Sequence, residues 1–269
     1  MSQFNAPEQI SVEEMHEFAM FVADLYQQKS ANNGQDRDGA NDIVRAALIA
    51  MLHDAVLAHR AVGVLVQSGW SSSAAPLVRT ILDVTISALA VIKSQNPRLA
   101  AFRYFHAGYR KFERDKKHPK EERSGTRALL RARISLLDPA DRPEAMKYLR
   151  AKERGYWFGD EWPTPAKIVE EFGSEYMQLK YREYSAAAHG GFLASRTMRD
   201  RSFDSDINPR LPIGRFAAVV SLESSRSLLE LVCLRDQWEK SGFTTEICPQ
   251  LRELYSRVVL PNVVPSKEW

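Results

Sequence analysis

ANDIVRAALIAMLHDAVLAHRAVGVLVQ, residues 40–67, followed by SGWS at 68–71, decides the fold class. Val44, Leu48, Met51, Leu52, Ala55 and Leu65 fall at helical spacing and lay an apolar stripe along one long helix from about Ala40 to Gln67. A helix with such a stripe has to bury it against other elements. Ser68-Gly69-Trp70-Ser71 supplies the stop, and a serine-capped helix from about Ser73 to Lys93 follows at once.

The same reading extends in both directions. Upstream, Ser11-Val12-Glu13-Glu14 is a capping box opening a helix to about Lys29, and Asn32 to Gly39 is a polar loop. Downstream, Pro97 opens a helix to about Lys116. His118-Pro119 and Ser124-Gly125 punctuate a basic loop, before short helices near Arg127–Leu137 and Arg142–Glu153. Gly155 to Pro163 is an aromatic loop, and Thr164-Pro165 reads as a helix cap and first residue. Ser174 caps the next helix, a polar loop runs from Gly191 to Pro209, and helices at about Pro212–Lys240 and Glu246–Val259 complete the pattern. No alternating run bounded by turn residues reads as a strand. The expectation is a single all-α domain, 1–269. Its helical-bundle core covers about 40–240 with short helices inserted, its N-terminal helix and loop cover 1–39, and its loosely ordered tail is 261–269.

Composition narrows the class. With 44% hydrophobic and 26% charged residues the chain is an ordinary globular one, and it holds no run of about 18 apolar residues. The N-terminus lacks the charged and apolar regions of a signal peptide, so a cytoplasmic protein without a membrane span is expected. Cys233 and Cys248 have no metal or disulfide spacing and read as buried thiols. Phosphate loops, G-x-S-x-G elbows and H-E-x-x-H are absent, and His53 and His59 are too far out of phase to share a metal. His16, His106 and His118 have no partner spacing either. Neither a cofactor nor a metal is expected.

The charge is unevenly placed. Between Arg103 and Arg133 eleven Lys or Arg stand against four acids, a net +7 in a chain whose total is +3. Arg103, Arg110, Lys111, Arg114, Lys116 and Lys117, interleaved with Tyr104, Phe105, Tyr109 and Phe112, suit a surface that meets phosphate backbones with rings available for stacking. The competing reading is a solvated helix–loop–helix with its aromatics turned to the core.

Two polar constellations stand out on helices. In Tyr181-Arg182-Glu183-Tyr184-Ser185-Ala186-Ala187-Ala188-His189-Gly190-Gly191, Ser185 lies about 60° and His189 about 20° around the axis from Arg182, so one face carries all three. The alanines keep the segment slim, the glycines end it, and His189 falls where the helix's negative end favours imidazolium. That is an anion-handling arrangement, although a histidine before glycine is also an ordinary helix cap. Arg79 and Asp83 form the second, an i,i+4 pair in an otherwise apolar helix. They read either as an ion pair at the core's edge or as lining one cleft with the Arg182 face.

Gln67-Ser68-Gly69, then Leu77 to Asp83, Phe102-Arg103-Tyr104, Tyr181, Tyr184-Ser185 and His189-Gly190 resemble, as an ordered set, a large bacterial all-helical family of unknown function. In it an arginine precedes an acidic residue by four positions, commonly glutamate where this chain has Asp83, and a Tyr-Ser-x-x-x-His pattern follows later. That family in turn resembles a branch of the HEPN superfamily, whose arginine, polar neighbour and spaced histidine match Arg182, Glu183 and His189, with six residues between arginine and histidine. The resemblance implies a HEPN-like bundle that pairs as a homodimer and cuts RNA without metal, as a toxin or antiviral defence effector with an antitoxin or defence-system partner. It also admits a non-catalytic nucleotide- or partner-binding module. Under the first, Arg182 and His189 are catalytic. Ser185, Tyr181, Tyr184, Arg79 and Asp83 support them.

Overall fold

The computed structural model describes residues 11–32, 42–114, 120–150, 162, 164–173, 175–188, 215–240 and 242–243. Among these the chain is all helical, with nine helices and no strand: α1 (Val12–Asn32), α2 (Ile43–Gln67), α3 (Ser71–Lys93), α4 (Pro97–Arg114), α5 (Lys120–Ile134), α6 (Arg142–Arg150), α7 (Pro165–Phe172), α8 (Glu175–Ala188) and α9 (Arg215–Glu239). Ser174, most of the aromatic loop, the Gly191–Pro209 loop, the helix expected at 246–259 and the tail lie outside the described residues.

Helix boundaries follow their caps. At α1 the Glu14 amide donates to Ser11 Oγ at 3.1 Å and the Ser11 amide to Glu14 Oε2 at 2.7 Å, the reciprocal capping box. α2 starts later than Ala40 because Asp42 takes the capping position, its Oδ1 accepting the Val44 amide at 2.9 Å. Its end is a Schellman motif: Trp70 N–H donates to Leu65 O at 2.7 Å, Gly69 N–H to Val66 O at 3.0 Å, and Gly69 has φ of 76°. Asn96 caps α4 by accepting the Leu99 amide at 3.0 Å.

The largest difference from expectation is in the basic segment. Ser124-Gly125 does not break the chain, and α5 runs straight through it. Gly125 is exposed and a Cβ there would meet nothing within 4 Å, so its cost is the ordinary ~1 kcal/mol of a helical glycine. The good helix formers on both sides, Lys120, Glu121, Glu122, Arg123, Arg127, Ala128 and Leu129, outweigh that.

The helices sort into two compact units. The first gathers the described residues of Met1–Ser30, Leu52–Thr85 and Glu175–Trp269. Its core joins Val62 and Val66 of α2, Ala74, Ala75, Val78 and Leu82 of α3, Tyr184 of α8, and Ala217 and Val220 of α9. α1 adds Met15, Ala19, Val22 and Tyr26, four buried residues on one helical face. Burying an apolar side chain of this size stabilises by about 1.5–3 kcal/mol.

The second unit gathers the described residues of Ala31–Met51 and Ile86–Ser174. In it α4, α5 and α6 pack on one another around Phe102, Phe105, Leu130, Ile134 and Ala145. Trp162 is buried beside α7, its indole N–H donating to Glu171 at 2.9 Å.

Ile43–Gln67 and Ser73–Lys93 are long and apolar enough in composition to cross a membrane, and 44% and 67% of those windows are already buried inside the protein. Both read as core helices of the fold.

Candidate functional site

Arg79 is the hub of the first unit's polar face. Its Nε and Nη2 meet the two carboxylate oxygens of Asp83 at 3.1 and 2.8 Å, the fork-to-fork arrangement that the i,i+4 spacing allows. Nη1 donates to the backbone carbonyl of Tyr181 at 2.9 Å, and the guanidinium carbon lies over the Tyr181 ring, 3.6 Å from its centroid. With 12% of its side chain exposed, Arg79 is thus engaged on two edges and one face, and it ties α3 to α8. Asp83 is half exposed. Desolvation nonetheless raises its carboxyl above the usual range, with the arginine pulling the other way.

On α8 the charges divide. Lys180 reaches Glu183 at 2.8 Å and Glu223 of α9 at 3.5 Å. Burial pushes the Glu223 carboxyl up to about 8, against the pull of Arg226 and with help from Glu230, so at neutral pH the nearer Glu183 answers most of the lysine's charge. Arg182 is exposed, and among the described residues no carboxylate pairs with it. Leu179, one turn back on the same side, is 52% exposed. Ser185 is half-buried. Tyr184 turns the other way and packs in the core, which raises its phenol above the usual range through burial. His189 follows the last described residue of α8 and lies outside the described residues.

The basic segment belongs to the second unit. Arg103 pairs with Glu144 at 2.8 Å and sits 4.5 Å from the centre of the Tyr148 ring. The Phe105 ring is 8% exposed and lies under the guanidinium of Arg133, 3.6 Å from ring centre, so a neighbouring arginine occupies the face expected to be open for stacking. Nε of both Arg103 and Arg133 is buried without an acceptor, at a cost of about 1–3 kcal/mol each. Arg110, Lys111 and Arg114 stand on the last turns of α4, their side chains outside the described residues together with Lys116 and Lys117.

A buried polar cluster escaped the sequence reading. His16 of α1 and His59 of α2 stack with ring centres 3.7 Å apart. His59 Nε2 meets the His16 carbonyl at 3.2 Å, which makes it the protonated nitrogen and leaves Nδ1 to accept from Ser224. Ser221 Oγ stands 3.3 Å from His16 Nδ1. Gly63 makes room, since a Cβ there would stand 2.6 Å from His16 Nε2. Burial lowers His16 to about 4 and His59 to about 3, the charge of His16 adding to the second shift, so both rings are neutral in the fold. His59 has no exposed surface, which gives the cluster a packing role. A separation of 43 positions between the two histidines leaves no spacing that would announce them.

Cys233 is half-buried, and Cys248 lies outside the described residues. Residues 45–206 match DUF5677, described as a family of unknown function. The span holds Arg79, Asp83, the basic segment and the Arg182 helix, and excludes α1 and α9. No curated protein and no solved structure matches the chain.

Proposed function

The chain belongs to the DUF5677 family, and from that premise we propose that it is a metal-independent endoribonuclease of HEPN type, acting as a toxin or antiviral defence effector. The observation that carries this reading is the uncompensated charge of Arg182. Its neighbours Lys180 and Glu183 cancel each other, Arg79 is engaged by Asp83 and Tyr181, and Arg182 on that face is exposed and unmatched among the described residues. A forked, permanently charged group in that state suits a phosphodiester.

The chemistry assigns three tasks. His189 takes the proton of a ribose 2′-hydroxyl, whose oxygen then bonds the adjacent phosphorus as the bond to the 5′-oxygen breaks. The second His189 of a homodimer protonates that leaving oxygen. Arg182 holds the charge that grows on the phosphate oxygens, and Ser185 orients it. The products are a cyclic 2′,3′-phosphate and a 5′-hydroxyl. A cytoplasmic setting and an antitoxin or defence-system partner go with this reading.

Purified protein incubated with RNA in EDTA is expected to yield those ends, and Arg182→Ala or His189→Ala to slow cleavage by about 100-fold or more. RNA cut at the wild-type rate by both variants refutes the assignment. The engagement of Arg79 and Lys180 favours a second reading, in which a single open cation holds a nucleotide or partner without turnover. It is distinguished by nucleotide-dependent thermal stabilisation that Arg182→Ala abolishes while no RNA is cut.

A further inference from the structure

The second unit handles its arginines in two ways. Arg98 pairs with Asp138 at 2.8 Å, Arg103 with Glu144 at 2.8 Å, and Arg142 donates to the carbonyls of Leu137 and Ser135, both at 3.1 Å. Arg133 is half-buried like Arg103, yet among the described residues it meets no carboxylate and no carbonyl. Its one described contact is the Phe105 ring beneath it, and its Nε is shut from water without an acceptor. The Nε orphan is shared with Arg103, but Arg103 spends its outer nitrogen on Glu144, whereas the outer nitrogens of the half-buried Arg133 have no acceptor among the described residues and are left for an external anion.

The surroundings say which anion. The segment Arg103–Arg133 carries eleven basic residues against four acids, a field that gathers polyanions. Phe105 lies under the guanidinium, 3.6 Å from Cζ to ring centre, which restricts the positions its remaining donors can take before any ligand arrives. Leu129, one turn back on α5, is 54% exposed and offers an apolar surface at the same place. Charge beside exposed apolar surface fits a strand whose phosphate and unpaired base present themselves together.

We propose that Arg133, seated on Phe105, is a phosphodiester-binding residue for single-stranded RNA on the α4–α5 face. The inference rests on RNA being the substrate class, but it concerns binding in the second unit and needs no cleavage. The probe is a fluorescein-labelled 12-nucleotide single-stranded RNA of mixed sequence, followed by anisotropy in a His189→Ala background so that turnover cannot confuse the reading.

Arg133→Ala is expected to weaken binding at least fivefold and to reduce the slope of log Kd against log salt by about 0.7, the contribution of one phosphate contact on a single strand. Arg133→Lys keeps the charge and therefore the slope, yet loses the forked donors and the guanidinium's contact with Phe105 and binds about threefold more weakly. Phe105→Leu leaves the slope unchanged while lowering affinity. The proposal is overturned if the slope is unchanged in an Arg133→Ala protein that melts as the parent does, if lysine serves as well as arginine, or if the parent does not bind the RNA. It is equally overturned if Arg133→Ala abolishes binding of a polyglutamate peptide and leaves RNA binding intact. Binding that depends on Arg133 in a protein that cuts no RNA upholds this inference and removes the ribonuclease reading.

Discussion

Replacing Arg79 with alanine should loosen α8 rather than unfold the protein. Three contacts go at once. The charge-assisted bond to the Tyr181 carbonyl is of a kind contributing about 1.5–3 kcal/mol. The stack on the Tyr181 ring contributes about 1 kcal/mol at this depth. The pair with Asp83, 48% exposed on the acidic side, contributes about 0.2–1 kcal/mol. Such terms overlap, and alanine recovers a little helix propensity, so the expected loss is about 2–3 kcal/mol. Amide hydrogen exchange across Glu175–Ala188 should then quicken by roughly 30- to 150-fold, with α4 amides in the other unit as the internal reference. Asp83→Ala removes the half-exposed pair but leaves the guanidinium on Tyr181, so it should cost less than Arg79→Ala, about 1 kcal/mol. Arg79→Lys should resemble alanine, because a point charge reproduces neither the fork nor the contact with the Tyr181 ring. Equal effects of Arg79→Ala and Asp83→Ala, or full retention by lysine, would show that the tie to Tyr181 does not hold α8.

Three further outcomes follow from the buried polar groups. Gly63→Ala should destabilise by about 1–2 kcal/mol in a thermal melt, because the His16 ring blocks the new methyl, and it should become neutral or stabilising once His16→Ala is present. Both histidines titrate below their ordinary 6.5 in the fold, so the unfolded chain binds more protons: their contribution is complete above about pH 6.5 and is lost as pH falls toward 4 for His16 and 3 for His59. His59→Gln should flatten urea-unfolding stability between pH 6.5 and 4, and an undiminished acid slope would count against the neutral stack. Glu223 has the opposite sign. Its carboxyl is raised from 4.5 to about 8, so stability falls as pH rises through that window, and Glu223→Gln should remove that decline between about pH 4.5 and 8.

Local chemistry was the legible part of this chain. Ser11 and Glu14 announce a capping box that forms as written, Gly69 announces a helix stop that takes a positive φ, and the four-residue step from Arg79 to Asp83 announces a pair that forms. Ser124-Gly125 misleads because a glycine in a run of strong helix formers costs too little to break the run. What spacing cannot reveal is the far partner. Tyr181 lies 102 residues from Arg79, and it converts an intrahelical pair at the core's edge into a tie between helices. Ser224 lies 165 residues from His59, and nothing local to either predicts that they meet. The Phe105 ring read as an open stacking face for the same reason: its cover, Arg133, comes from another helix.

The stacked histidines also bear on where the family segment can be cut. His59 and Gly63 fall inside residues 45–206, whereas His16, Ser221 and Ser224 are contributed by helices that flank it. A protein trimmed to 45–206 would present His59 bare, with a groove at Gly63 shaped for a ring that is no longer there. The sequence signature and the packed unit around His59 are therefore different objects, and truncations for biochemistry should retain α1 and α9. Position 63 should likewise admit a larger residue in relatives only where position 16 has given up its imidazole, a covariation that straddles the edge of the family match.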